Sequence, residues 1–105
     1  EGLVERAGEL GGYAMDRMRD LMARSPFVGD VRGRGLMFGV EMVEDKEALR
    51  PHHALAERIY YRCLENGLSF KISQGNVLTL SPPLTIPKAD LDRALGIVEE
   101  AVLAG

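Results

Sequence analysis

VRGRGLMFGVEMV, residues 31–43, decides the fold. Apolar residues recur there at every second position, so Leu36, Phe38, Val40 and Met42 share one side of a strand. Met37, Gly39, Glu41 and Val43 share the other side. The glycines at 33 and 35 place a bend between a short strand and a longer one. On either side of this stretch the period changes from 2 to 3.6. Upstream, Leu3, Ala7, Leu10, Ala14, Met18, Leu21 and Met22 step by threes and fours, which is one face of an amphipathic helix. Gly11 and Gly12 interrupt it, each at a cost of about 1 kcal/mol against alanine, so tertiary packing must hold this helix.

Downstream, EDKEALRP (44–51) is a charged, exposed connection. Leu55, Ile59 and Cys63, flanked by Ala56 and Tyr60, then set a helix over 52–64, and Asn66–Gly67 stops it. LSFKIS (68–73) reads as a strand with Leu68, Phe70 and Ile72 on one side. QGN (74–76) is a hairpin-sized link, and 77–80 is the last strand. Pro87 opens a final helix whose stripe is Leu91, Ala94, Leu95, Val98 and Val102. The order αββαββα predicts an α+β two-layer domain, a mostly antiparallel sheet with helices on one face, formed by residues 1–105 as a single domain. The pattern is already helical at residue 3 and the chain opens on Glu1, so it reads as a piece of a longer protein.

Composition narrows the function. A net charge of −3, with ten Arg and three Lys scattered among sixteen acids, argues against a nucleic-acid surface. No apolar run approaches the roughly 20 residues that span a bilayer, and no signal-peptide pattern opens the chain. The single Cys63 closes no intrachain disulfide, which fits a reducing compartment, and a cytoplasmic protein is expected. His52 and His53 are adjacent, so on a helix they diverge by about 100° and do not make the i, i+4 metal pair. No metal site is expected. No GxGxxG or GxxxxGK[ST] leads into a helix, so no phosphate-loop fingerprint is present.

With one face of the sheet under helices, the other carries Met37, Gly39, Glu41, Ser69, Lys71, Ser73, Val77 and Thr79. Two readings stay open for it: an ordinary solvated face, or a face covered by another domain, for which Gly39 and the small hydroxyl residues leave room. VLTLSPPLTI (77–86) favours a presented position, because the proline pair fixes the strand end and holds Thr79 rigidly. Arg32 and Arg34 flank Gly33 and are candidates for an anion or an interdomain contact. Lys71 is the only lysine on a strand; it is a candidate for the same role or a snorkelling surface lysine opposite Glu41.

Two stretches carry a family resemblance. VGDVRGRGLMFGVEM (28–42) resembles the entry to the C-terminal small domain of class III pyridoxal-phosphate-dependent aminotransferases, and NVLTLSPPLTIPKADLDRAL (76–95) resembles that domain's end. The resemblance implies fold-type I architecture, in which this small domain packs against a large cofactor domain of the same chain within a homodimer. It implies pyridoxal phosphate in the full-length parent, with a small-molecule amino donor and a keto acid as substrates. It also implies that the lysine bonding the cofactor, the acid facing its ring nitrogen and its phosphate loop lie outside these residues. No catalytic or cofactor-binding residue is therefore expected here, and the fragment alone is expected to be inactive. In many members an arginine stands where this chain has Thr79, and it grips the substrate's α-carboxylate. Threonine there points to an amine, an ω-amino acid, or an amino alcohol carrying phosphate or phosphonate. The alternatives are a lyase acting on such amino alcohols and a self-standing α+β module whose open sheet face docks a ligand or partner.

Overall fold

In a computed structural model that describes residues 2–104, the glycine-rich stretch becomes a β-hairpin. Strand β1 (Val28–Arg34) pairs antiparallel with β2 (Met37–Asp45), and Arg34 sits opposite Met37. The two-residue turn needs glycine at its first position, and Gly35 supplies it at φ +60°. Gly33, read from sequence as part of the bend, is instead the paired partner of Phe38. Strand β1 also begins three residues earlier than the alternation suggested, because an irregularity between Val28 and Asp30 breaks the period there.

Helix α1 (Gly2–Arg24) precedes the hairpin and packs on it through the predicted stripe. Its glycines separate into two kinds. A Cβ at Gly11 would lie 2.0 Å from the carbonyl oxygen of Gly35, so the helix touches the hairpin turn there, backbone to backbone. A Cβ at Gly12 would meet nothing within 4 Å.

A two-residue strand β3 (Arg50–Pro51) follows beside the far end of β2, inside the segment expected to be only a connection. Helix α2 (His53–Glu65) starts on His52, whose Nδ1 accepts a hydrogen bond from the Leu55 N–H. It ends in a Schellman turn, with Gly67 at φ +89°, Gly67 N–H donating to Leu64 O and Leu68 N–H to Cys63 O. Strand β4 (Lys71–Ser73) is shorter than expected, since Leu68 belongs to that turn and Phe70 packs its ring on Tyr60 before pairing begins. A turn with Gln74 and Gly75 both at positive φ leads into β5 (Val77–Leu80). Helix α3 (Lys88–Ala104) follows, and the carbonyl of Pro87 accepts its first hydrogen bonds.

The sheet is antiparallel, in the order β1-β2-β5-β4, with β3 added at β2. With the helices it gives the expected α+β two-layer domain; β3 is the addition to the order αββαββα. Leu36, Phe38, Val40, Met42, Leu78 and Leu80 are all buried, in one core with Leu55, Ile59, Leu91, Leu95 and Val98. Each such side chain contributes about 1.5–3 kcal/mol on leaving water. Among the described residues, no helix is long and apolar enough to cross a membrane.

Candidate functional site: the uncovered face of the sheet

Strand register decides what the other face presents. Arg32 is paired with Gly39, Gly39 with Thr79, and Thr79 with Lys71, so these four residues form one row across all four main strands. Since cross-strand partners point to the same side, three of the four candidates from sequence lie in that row. Arg34, two residues along β1 from Arg32, flanks it. The next row is Asp30, Glu41, Val77 and Ser73.

Arg32 Nη1 donates to Asp30 and to Glu41, both at 3.0 Å. The Glu41 bond, with both carboxylate charges, raises the guanidinium pKa further above its ordinary value. Glu41 is therefore the partner of Arg32, and the expected pairing of Glu41 with Lys71 is not made: β5 lies between their strands. Arg34 is exposed and makes no ion pair or side-chain hydrogen bond among the described residues. Thr79 is half-buried, and its Oγ1 lies 2.9 Å from Ser73 Oγ. Gly39 is half-covered, because Val77 leans over it; a Cβ there would stand 3.2 Å from Val77 Cγ1. A groove of about 300 Å³ results, lined by Arg32, Arg34, Met37, Gly39, Val77 and Thr79. Lys71 lies outside it, exposed on the edge strand. Val43, assigned by alternation to this open face, is fully buried, with Gly29 and Leu49 packed around it.

The end of β5 is held from both sides. The proline pair, Pro82 and Pro83, follows the strand, and the Arg6 guanidinium of α1 donates to the carbonyls of Leu84 and Ile86 just beyond. Sequence reasoning did not find Arg6; an arginine on the border of an apolar helical stripe was the only available signal. It also missed the ties between α1 and α3. Arg17 donates to both carboxylate oxygens of Glu99, at 2.6 and 3.1 Å, and Tyr13 donates to Asp92. The hydrogen bond from Tyr13, with Lys88 and Arg17 nearby, lowers the Asp92 pKa below its usual value.

The remaining reactive side chains are accounted for by structure. Cys63 is buried, and burial pushes its thiol up to about 11. His52 caps α2, and among the described residues no His, Cys, Asp and Glu cluster has metal-site geometry. A pyridoxal phosphate site needs an enclosed lysine beside an acid and a phosphate cradle. The three lysines do not fit it: Lys46 Nζ donates to Met22 O, Lys88 lies over the Tyr13 ring near Asp92, and Lys71 is exposed on an edge strand.

Comparison with known proteins accounts for the whole architecture. The family model for aminotransferase class-III matches residues 1–102. A leucine/methionine racemase of Thermococcus litoralis is 43% identical over 95% of this chain, which spans 23% of that protein. An ornithine aminotransferase of Exiguobacterium is 44% identical over 99% of this chain, again 23% of its own length. The structure of a phospholyase from Arthrobacter, in complex with phosphoethanolamine, superimposes with a TM-score of 0.91 at 33% identity; it covers 100% of this chain and 25% of that one. The chain thus spans about a quarter of each of these proteins. Its hairpin, its proline-ended strand and all but the last two residues of its three helices lie within the matched span, and the chain belongs to the class-III aminotransferase family.

Proposed function

We propose that these residues are the C-terminal small domain of a pyridoxal-phosphate-dependent aminotransferase, and that the domain shapes one wall of its substrate pocket. The observation that carries this is the position of Thr79: on the uncovered sheet face, in a groove, at a strand end fixed by two prolines and Arg6. An uncovered face with Met37 57% exposed beside Arg34 suits a large domain of the same chain packed over it. The longer protein would carry the cofactor, which supplies an electron sink for bond breaking at the amine carbon. What this chain contributes is binding and exclusion. Thr79 offers a short hydroxyl, already oriented by Ser73, where a charged clamp would impose a carboxylate. The substrates proposed are an amine or ω-amino acid as donor and a keto acid as acceptor, in a cytoplasmic homodimer.

A second reading has its own support. The phospholyase bound to phosphoethanolamine matches this chain about as well as a Bacillus anthracis aminotransferase does, so a lyase acting on a phospho- or phosphono-amino alcohol is the competing activity. The racemase relative adds a third outcome for the same assay. Product analysis separates them: amino-group transfer consumes a keto acid, elimination releases ammonia, together with phosphate from a phosphate ester but not from a phosphonate, and racemisation releases neither.

The residue-level test is Thr79→Arg in the longer protein. The ratio of kcat/KM for an α-amino acid over an ω-amino acid should rise about ten- to a hundredfold, the value of one charge-assisted hydrogen bond. An unchanged ratio in a folded, cofactor-loaded enzyme would remove Thr79 from the pocket.

A further inference from the structure

Of the charges on the open face, Arg32 is committed to Asp30 and Glu41, while Arg34 has no ion pair among the described residues although the chain carries more acids than bases. Arg34 is also well placed. Its backbone is fixed by pairing with Met37 and by the adjacent turn, where Gly11 of α1 seats against Gly35. It shares the groove of about 300 Å³ with Thr79. Strand spacing of about 4.8 Å and a rise of about 3.4 Å per residue put the two Cα atoms roughly 12 Å apart. A long arginine and a bound oxyanion span that gap together, with the Thr79 hydroxyl as a second donor. Arg32 also lines the groove, and among the described residues only its Nη1 is hydrogen-bonded.

We propose that Arg34 is an oxyanion-binding residue: its guanidinium forks the carboxylate, phosphate or phosphonate of the substrate, with Thr79 Oγ1 donating to the same group. Met37, exposed across the strand pair from Arg34, gives the apolar side against which a short carbon chain lies. The proposal rests on reading the groove as part of the substrate pocket, and it moves the anion-recognising charge from the end of β5 to the hairpin. A planar fork suits both carboxylate and phosphate, so geometry gives the shared chemistry and the ligands must decide between sources.

The test needs neither cofactor nor turnover. The ¹⁵N-labelled chain is titrated at constant ionic strength with inorganic phosphate, with ethanolamine phosphate and with β-alanine. We expect saturable shifts at the Gly39 and Thr79 amides and at the Arg34 Nε–H with at least one of them. Arg34→Gln should weaken that binding about tenfold or more, while Arg93→Gln, on the exposed side of α3, leaves it unchanged. Preference for ethanolamine phosphate marks a phospho-amino substrate, and preference for β-alanine marks an ω-amino acid. Equal binding of inorganic phosphate and ethanolamine phosphate marks recognition of the anion alone. No saturation with any ligand, or equal affinity in Arg34→Gln with its spectrum otherwise native, overturns the proposal. Loss of this binding in a longer protein that still transfers amino groups would overturn the role of Arg34 only. Binding intact in a protein that transfers none would overturn the aminotransferase reading only.

Discussion

Met37 and Phe38 are neighbours on β2, and they live under different rules. Phe38 points to the helices and is 3% exposed; Met37 points away and is 57% exposed. On the covered side each position is specified by volume: Leu36, Phe38, Val40 and Leu78 fill one core, and the glycines that approach it are fixed by contact, Gly11 against Gly35 and Gly33 against Met15. On the uncovered side positions are specified by what they present: a free guanidinium, a hydroxyl held by another hydroxyl, a glycine under a leaning valine. The difference teaches that one sheet carries two separable requirements, folding on one face and recognition on the other, and that substitutions should sort by face.

The largest effect tests that division directly. Phe38→Ala should lose about 3–5 kcal/mol in urea unfolding, while Met37→Ala, one residue away, should change stability by no more than about 0.5 kcal/mol. Comparable losses at both positions would mean that the open face is also packed. Next comes the helix above the sheet. Gly11→Ala should cost about 1–3 kcal/mol, since its methyl has no room beside Gly35, whereas Gly12→Ala should raise stability by up to about 1 kcal/mol. Thermal melts of the two variants should therefore move in opposite directions.

Chemistry offers a finer probe of the covered side. With its thiol raised to about 11, Cys63 should resist iodoacetamide at pH 8 in the native chain and react once urea unfolds it. Rapid native labelling would place it outside the core. The smallest effect is electrostatic, at the layer of α1 on α3. Asp92 has a lower pKa folded than its ordinary 3.8, so its contribution is present above that value and is lost as pH falls through the folded pKa. Urea midpoints measured above and below pH 3.8 should therefore differ less in Tyr13→Phe than in the unmodified chain.

Most of the covered side was legible in the sequence, because hydrophobic period is a local signal. Alternation at 36–42 and 77–80 and the stripes of α1, α2 and α3 need no knowledge of distant residues. The failures share one cause, which is that the deciding partner lies elsewhere. Val43 is buried by Gly29 and Leu49, Glu41 is taken by Arg32 because β5 separates it from Lys71, and β3 exists only because β2 extends past β5. On the open face, residue types nominated Thr79, Arg32, Arg34 and Lys71. Register then joined the first three in or beside one groove and left Lys71 at the edge.

Arg6 reaches partners 78 and 80 residues further along the chain, and Tyr13 and Arg17 reach α3 over similar separations. A ribosome delivers the clamp well before the clamped segment. Until residues 84–99 emerge, α1 has no α3 to pack on, and the strand bearing Thr79 has only its two prolines to fix its end. Closure of so long a loop comes late and slowly. The groove therefore acquires its shape at the end of folding, and a substitution at Arg6 should delay maturation of the recognition face while the hairpin forms on schedule.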